Sequence, residues 1–353
     1  MGELIKKELK GFFTSLSGYV VLVFFLLANG LFLWVIPGVY NIPESGMADL
    51  QPFFSLAPML YLFLVPVICM RLFAEEKRAG TLELLFTRPV SVWRIVWAKY
   101  IAGFLLVLLS ILPTLVYPVS LYFLSQPVGN IDTGGIIGSY IGLIFLSGIY
   151  VAAGVWSSAV TDNQIVAFLY GMVLSFLLFA GFDFIGEVGG LAEYQSFLLN
   201  LGINYHYEPM SRGVIALSDV VYFLSVILFF VWLTVRRFSP MRLRLVYVLP
   251  LLVVLNVVAG RIYLRVDITN DKRYTLSEHT RQLLKHLDRG IGVDIFLGGS
   301  LPAEMQKLQY ATTRMLEEFR RITGNKLRYM LIDPADISDG EEKKQFVQYL
   351  ASR

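Results

Sequence analysis

The sequence predicts an α-helical protein that crosses a membrane several times and ends in a small α/β domain. Of its 353 residues, 56% are hydrophobic and only 16% are charged, whereas soluble domains carry about 25% charged residues. Residues 261–353 hold 16 of the 30 Lys and Arg residues and 13 of the 27 Asp and Glu residues. The first 260 residues therefore form the predicted membrane part, and the rest forms a polar part.

Seven apolar stretches approach the ~20 residues that a helix needs to cross the hydrocarbon core. They are residues 19–35, 53–70, 101–124, 134–157, 164–184, 219–235 and 245–260. Basic residues precede the first stretch, as in a signal peptide, but no small-residue cleavage site follows it. We therefore predict an uncleaved anchor.

Residues 1–18 are predicted to form a helix that lies on the membrane surface. One side of this helix is basic, and the other is apolar. The basic residues are Lys6, Lys7 and Lys10, and the apolar stripe consists of Leu4, Ile5, Leu9, Phe12 and Phe13. A disordered basic tail is the alternative.

The basic residues of the short loops predict the orientation in the membrane. Thirteen Lys and Arg residues lie in the N-terminus, in residues 71–99 and in residues 236–244, whereas the loops on the other side contain only Arg212. Because cytoplasmic loops are enriched in Lys and Arg, the N-terminus is predicted to be cytoplasmic. After seven spans, the C-terminal domain is extracytoplasmic.

Four segments follow from this topology. They are a cytoplasmic interfacial helix (1–18), a six-span domain with a cytoplasmic loop at 71–99 (19–240), a seventh span (241–262) and an extracytoplasmic α/β domain (263–353). Residues 185–218 are long and semi-apolar, and we expect short helices there before the sixth span.

The polar part contains the pattern strand, helix, strand. A helix capped by Ser277, with Leu283, Leu284 and Leu287 facing inward, precedes a strand at 291–297. A second helix carries a stripe at helical spacing, and a second strand follows at 326–332. The stripe consists of Met305, Leu308, Thr312, Met315, Phe319 and Ile322. A last helix is predicted at 341–350. Two parallel strands make an incomplete sheet, so either the chain is truncated or another element completes the domain.

The loop at 71–99 contains a short amphipathic helix. Gly80 ends the extension of the second span, Thr81 caps the short helix, and Pro89 ends it. Leu82, Leu85 and Phe86 share one face. Six residues do not hold a helix alone in water, so this helix must lie against something. Docking into a groove on a cytoplasmic partner and a solvated loop tied to lipid headgroups are the alternatives.

Several kinds of site are missing from the sequence. It contains no G-x-x-x-x-G-K-[ST] phosphate loop, no G-x-G-x-x-G after a strand, no H-E-x-x-H and no G-x-S-x-G. We predict no catalytic, cofactor-binding or metal residues and no cofactor. The single cysteine, Cys69, is expected to be a buried apolar residue. Asp162 and Asp183 are expected at membrane interfaces and His206 in a structural role, with metal or proton handling as its alternative.

Three segments carry a resemblance to a known family. Residues 75–91, with Lys99 downstream, read E-E-K-R-A-G-T-L-E-L-L-F-T-R-P-V-S and resemble the signature between the second and third spans of ABC-2 type permeases. Residues 205–215, Y-H-Y-E-P-M-S-R-G-V-I, resemble the gliding-motility-associated branch. Residues 267–277, D-I-T-N-D-K-R-Y-T-L-S, resemble the auxiliary subunit usually encoded beside that permease, so the chain looks like the two fused.

The resemblance implies a non-catalytic membrane subunit of an exporter, driven by a separate ATPase. In that family the loop corresponding to 71–99 is the coupling helix that meets the ATPase. The implied docking residues are Glu75, Glu76, Gly80, Thr81, Leu82, Glu83, Leu85, Phe86 and Pro89, together with Lys6, Lys7 and Lys10. The implied partners are that ATPase, a second permease copy and membrane lipid, without nucleic acid, in a bacterial inner membrane.

Two other functions compete with transport. The complex could instead anchor or energise a gliding-motility or cell-envelope machine and move no solute. A membrane enzyme acting on lipid would need a catalytic cluster at the interface, and the sequence shows none.

Overall fold

The computed structural model describes residues 1–87, 89–186, 195–239, 245–262, 264–272, 275–287, 290–298, 303–323 and 326–332. The chain divides into two compact units. The first comprises Met1–Phe184 and Phe197–Tyr274, and the second comprises Ile185–Ser196 and Thr275–Arg353. The helix predicted at 341–350 lies outside the described residues.

Helices dominate the chain up to residue 261. The first ten are α1 (Gly2–Thr14), α2 (Leu16–Trp34), α3 (Ile42–Ser45), α4 (Gln51–Cys69), α5 (Arg71–Arg78), α6 (Thr81–Phe86), α7 (Val92–Ile111), α8 (Val116–Leu124), α9 (Thr133–Val160) and α10 (Gln164–Phe176). The next five are α11 (Phe182–Gly186), α12 (Gln195–Leu201), α13 (Ile203–Met210), α14 (Leu217–Phe238) and α15 (Leu245–Arg261).

In the part of the chain that the structure describes, five helical segments are long and apolar enough to cross a membrane. They are Gln51–Arg78, Val92–Leu124, Thr133–Val160, Gln164–Ile185 and Leu217–Phe238. Each contains one of the predicted spans, which confirms those five. The first predicted span corresponds to α2, which with α1 forms a pair bent by 73° and gives up to six spans among the described residues.

The seventh predicted span, α15, is shorter than the other spans. It has 17 residues and does not reach the length of the five segments above. The chain after α15 nevertheless lies beside the N-terminal end of α14, because the Leu217 amide donates to the Leu264 carbonyl at 2.8 Å. Halfway along, Asn256 Nδ2 donates to Ser225 Oγ at 2.9 Å. The two helices therefore form an antiparallel hairpin, and a seventh crossing remains a prediction.

The central element of the first unit is α9. With 28 residues it is about 42 Å long, and it packs against α4, α7, α10 and α14. Glycines let neighbouring elements approach its backbone closely. A Cβ on Gly138 would lie 2.6 Å from Gly213 Cα, and one on Gly154 would lie 2.7 Å from Cys69 Cβ. Because α9 is one continuous helix, it joins opposite ends of the bundle, and Cys69 is buried against it as predicted.

The helix α1 packs against the bundle. Its apolar stripe includes the buried Phe12, with Leu4, Leu9 and Phe13 packed against the same core, while Lys6, Lys7 and Lys10 are exposed. Ser15, in extended conformation, separates α1 from α2. The predicted helix and its two faces are present, and the apolar face contacts protein.

Two short strands at the start of α9 were not predicted. Strand β1 (Val214–Ala216) pairs antiparallel with β2 (Arg265–Asp267), and Val214 lies opposite Asp267. Short helices α12 and α13 precede β1, as expected for residues 185–218. The pairing attaches the chain after α15 to the chain before α14.

The second unit contains the predicted βαβ pattern. Strand β3 (Ile291–Ile295) pairs in parallel with β4 (Leu327–Leu331), and α17 (Ala303–Ile322) lies between them in sequence. Helix α16 (Glu278–Lys285) is capped by Ser277, whose hydroxyl accepts from the Thr280 amide at 3.1 Å. This confirms the Ser277 cap.

The buried faces of α16 and α17 differ from the prediction. In α17, Leu316 is buried against Ile295 and Leu327, with Phe319 beside them, whereas Leu308 and Met315 are exposed. Phe319 of the predicted stripe therefore packs as predicted, whereas Leu308 and Met315 lie off the buried face and Leu316, which was not predicted, reaches the two strands. In α16, Leu284 is buried, but Leu283 is 60% exposed, so its predicted inward position was wrong.

Candidate coupling site

Helix α6 begins directly after a backbone break at Gly80. Gly80 adopts φ +68°, a conformation that glycine reaches without steric cost, and it separates α5 from α6. The N-cap of α6 is Gly80, and no side chain caps the helix. The Thr81 hydroxyl instead donates to the Glu76 carbonyl at 3.4 Å. The predicted Thr81 cap was therefore wrong, while the bounds of the short helix match the sequence.

The apolar face of α6 is turned toward the chain's own bundle. Leu82 is only 7% exposed, and Leu85 and Phe86 pack against the same core. The ring centroid of Phe86 lies 5.2 Å from that of Phe238 at the end of α14. Phe238 also contacts Phe73 of α5 at 5.0 Å. These contacts explain how a six-residue helix is held in place.

The outward face of α6 is formed by different residues. Glu83 is exposed, and the side chain of Leu84 is 67% exposed. Sequence reasoning missed Leu84, because it lies outside the i, i+3, i+4 stripe of Leu82, Leu85 and Phe86. Leu84 is therefore an apolar residue on the outward side of a polar loop.

A buried ion cluster lies beside α6. Lys99 of α7 is 2% exposed, and its ammonium lies 2.7 Å from Glu8 Oε1 of α1 and 2.9 Å from Glu76 Oε2 of α5. Lys7 of α1 lies 2.5 Å from the other oxygen of Glu76. Lys99 also donates to the Leu72 carbonyl. One ammonium therefore ties together α1, α5 and α7.

The ion cluster places one predicted docking residue inside the protein. The Glu76 side chain is only 12% exposed, so it serves contacts within the chain. Glu8 was missed by sequence reasoning, although a signal was present. It lies one helical turn from both Leu4 and Phe12 on the stripe that packs inward, and a carboxylate there requires a buried partner.

The junction between α4 and α5 is held by the end of α9. The Ser158 hydroxyl donates to the Met70 carbonyl at 2.9 Å and accepts from the Phe73 and Ala74 amides at 3.0 and 3.1 Å. The first amides of a helix have no partner within it, and Ser158 supplies one. Lys77 donates to the Ala159 carbonyl next to it.

The remaining predicted residues face outward. Glu75, Gly80 and Pro89 are exposed, and so are Lys6 and Lys10. Lys6 pairs with Glu3 at 3.1 Å. Glu75 lies 3.8 Å from Arg71 Nε, and the other end of that guanidinium donates to Ser15 Oγ at 2.7 Å. Of the charged residues in the predicted docking set, Lys7 and Glu76 belong to the ion cluster, and the others lie at the surface.

The other sequence candidates have local partners. Buried His206 is stacked on Tyr222 at 3.9 Å, its Nδ1 lies 2.8 Å from Asp219, and its Nε2 lies 3.0 Å from the Asn200 carbonyl. Asp183 accepts from Asn204 at 2.8 Å. Asp162 is exposed. Within the described ranges, no group of three or more His, Cys, Asp or Glu residues is arranged to hold a metal ion.

Several contacts join the loop at 71–99 to the rest of the first unit. The ion cluster, the Phe86–Phe238 contact and the Ser158 bonds join the loop to α1, α7, α9 and α14. These contacts hold α5 and α6 against the rest of the first unit.

Comparison with known families identifies two segments of the chain. Residues 3–268 match a family described as ABC-2 family transporter protein. Residues 270–351 match a domain of unknown function, DUF7088. No match was found among curated proteins.

Proposed function

Since this chain belongs to the ABC-2 transporter family, we propose that it is the membrane subunit of an export complex driven by a separate ATPase that docks on residues 71–99. The observation that supports this most directly is the ion cluster of Lys7, Glu8, Glu76 and Lys99. These ion pairs hold the loop, the N-terminal helix and the start of α7 together as one block. A force applied to that block moves membrane helices.

The docking surface combines the outward side of α6 with its surroundings. Glu83 and Leu84 project from the short helix, and Glu75 and Pro89 flank it. Lys6 and Lys10 on α1 supply positive charge. The inward residues Leu82, Leu85 and Phe86 hold α6 in place, and Glu76 holds α5 against α1 and α7. The proposed docking surface therefore includes a residue absent from the sequence-based set, Leu84.

The proposed orientation follows from the loop charges. The end of the bundle that carries α1, α5 and α6 lies in the cytoplasm of a bacterium, and the end that carries β1 and β2 lies outside the inner membrane. The α14–α15 hairpin supports a seventh crossing, because its two outer ends are paired. Residues 263–353 are then extracytoplasmic.

The proposed assembly contains a second copy of the chain and surrounding lipid. Six spans per chain are few to enclose a route across the membrane, so two copies are paired, and nucleic acid plays no part. We place the chain in the gliding-motility-associated branch, with a permease and an auxiliary-subunit segment in one polypeptide. The motifs at 205–215 and 267–277 support that placement.

A mechanical role that moves no solute is the second candidate, and α9 is the observation that favours it. One end of α9 binds the α4–α5 junction through Ser158. At the other end, the Gly134 amide donates to Asn270 Oδ1 at 3.1 Å. Asn270 lies just before the C-terminal α/β region, so a tilt of α9 moves the root of that region.

Photolabelling tests the proposed ATPase partner. The tagged chain is purified from its native membranes with attached proteins and irradiated with 8-azido-ATP. The chain has no phosphate loop of its own, so we expect label on a second polypeptide. Deletion of residues 81–87 should remove that polypeptide from the preparation. Label on this chain, or capture unaffected by the deletion, would contradict the proposal.

A further inference from the structure

A buried pair of titratable side chains lies where the chain enters α14. His206 of α13 is 9% exposed and Asp219 of α14 is 7% exposed, and His206 Nδ1 lies 2.8 Å from Asp219 Oδ1. Asp219 is in the first turn of α14, where the partial positive charge of the helix amides favours an ionised carboxylate. Such a carboxylate accepts hydrogen bonds and donates none, so Nδ1 carries a proton.

The other ring nitrogen of His206 also faces an acceptor. Its Nε2 lies 3.0 Å from the backbone carbonyl oxygen of Asn200, which has no proton to give. This carbonyl is in the last turn of α12, where carbonyls have no partner within the helix. The bond therefore needs a proton on Nε2 as well as on Nδ1, and an imidazole that carries both protons is a cation.

The ring of Tyr222 favours the same charge. It stacks on His206 with 3.9 Å between the ring centroids and 21° between the planes, and the face of an aromatic ring attracts a cation. A neutral imidazole beside a protonated Asp219 would make the same hydrogen bonds. However, a carboxylate is a much weaker base than an imidazole, so the proton belongs to His206.

Asp219 is the charged group that faces His206. The elements most extensively packed against α13 are α9, α14, β1 and residues 177–181. Of these, α14 alone contains charged residues, namely Asp219 and, at its far end, Arg236 and Arg237. The charge on His206 therefore compensates that of Asp219.

Other titratable groups near His206 in the described part of the chain are uncharged or paired elsewhere. Tyr205 meets the imidazole edge-on, with 5.2 Å between the ring centroids. Glu208, on α13 itself, is bound to Arg212 at 2.8 Å, and Asp183 of α11 accepts from Asn204.

We propose that His206 is a buried imidazolium that clamps the end of α12 to the start of α14, and that this clamp opens as the pH rises. Helix α13 is held separately, because Tyr207 donates to the Phe54 carbonyl at 2.7 Å and Met210 packs closely on Gly142 of α9. Loss of one ring proton leaves a nitrogen lone pair facing an oxygen lone pair, so one side of the clamp is released while α13 stays in place. The clamp is intact while the ring is doubly protonated and is lost above the pH at which one proton leaves.

The clamp lies at the end of the bundle that carries β1, directly after α13 in the chain. In the orientation proposed above, this end lies outside the inner membrane. The clamp then responds to the pH on that side, which is a property separate from docking of the ATPase.

Nitrogen solid-state NMR of the full chain in lipid bilayers measures the protonation state. The chain contains three histidines, of which His279 and His286 are exposed, and an isotope label in histidine alone resolves protonated from unprotonated ring nitrogens. At about pH 7.5 an exposed imidazole is mostly neutral and has one unprotonated nitrogen. We expect this signal from two rings and none from His206, whose signals His206→Gln identifies by their loss. An unprotonated nitrogen on all three rings would overturn the proposal.

Asp219→Asn tests the origin of the charge. The new amide donates to Nδ1, so a neutral ring with its proton on Nε2 makes both contacts. We expect one unprotonated nitrogen on His206 in this variant at about pH 7.5. Glu208→Gln, which removes another carboxylate from the same helix as His206, should leave the ring doubly protonated. A doubly protonated ring in Asp219→Asn would contradict the pairing.

Amide hydrogen exchange tests the opening of the clamp. Raising the pH from about 7.5 to about 10, well above the range of an ordinary histidine, should accelerate exchange of residues 198–202 beyond its intrinsic pH dependence. The expected excess is about fivefold, as for the loss of one hydrogen bond. Asp219→Asn, in which the neutral ring keeps both contacts, should show no excess. Equal excess in the two proteins, or none in the unmodified chain, would overturn the clamp.

Discussion

Lys99 and Glu8 form a buried ion pair with a distance of 2.7 Å between Nζ and Oε1, across 91 residues of sequence. The pair joins the helix that precedes the first span to the helix that follows the coupling loop. Glu76, from the loop itself, shares the same ammonium. Removing one member of a buried ion pair is costly, because the other is left uncompensated.

Lys99→Met should therefore destabilise the first unit. The expected loss is about 3–5 kcal/mol in the free energy of unfolding, measured as a fall in the thermal midpoint of the purified protein. Lys10→Met, which removes an exposed lysine from the same end of the bundle, should leave the midpoint unchanged. Adding Glu8→Gln and Glu76→Gln to Lys99→Met should recover part of the loss, and a triple variant no better than the single one would contradict the account.

Ser158→Ala should loosen the α4–α5 junction. It leaves the Phe73 and Ala74 amides without their acceptor, at a cost of about 1–3 kcal/mol. Amide hydrogen exchange of residues 71–78 should become faster. Ser157→Ala is the matched control, because that hydroxyl donates to the Gly154 carbonyl of its own helix at 2.8 Å. Equal exchange in the two variants would show that Ser158 does not hold the junction.

Gly138→Ala should separate α9 from the β1 segment. The new Cβ would lie 2.6 Å from Gly213 Cα, which is backbone and cannot rotate away. We expect a fall in the thermal midpoint of several degrees, as for about 1–3 kcal/mol of overpacking. Gly30→Ala in α2 has open space around its Cβ and should be neutral or stabilising. Similar midpoints for the two variants would contradict the close packing.

The sequence was sufficient for features that depend on local signals. Gly80 and Pro89 limit the short helix in the loop strongly enough to give the bounds of α6, and hydropathy gave the five helices that are long enough to cross a membrane. The parallel pairing of β3 and β4 followed from the spacing of strand, helix and strand.

Features that depend on tertiary packing could not be predicted. The sequence of α6 gave its apolar face but not the surface that covers this face, so neither the contact with Phe238 nor the exposure of Leu84 was predicted. Glu8 and Lys99 lie too far apart in sequence for any periodicity to pair them. Strands β1 and β2 have three residues each, which is too short to show alternation.

The coupling site is tested most directly by a photo-crosslinker at position 84. With p-benzoylphenylalanine in place of Leu84, irradiation of the native complex should join this chain to the polypeptide that 8-azido-ATP labels. The same residue at Leu283, which is 60% exposed in the second unit, should give no such product, and at buried Leu82 it should crosslink within the chain. An ATPase crosslink from position 283, or none from position 84 in a complex that retains the ATPase, would contradict docking on α6.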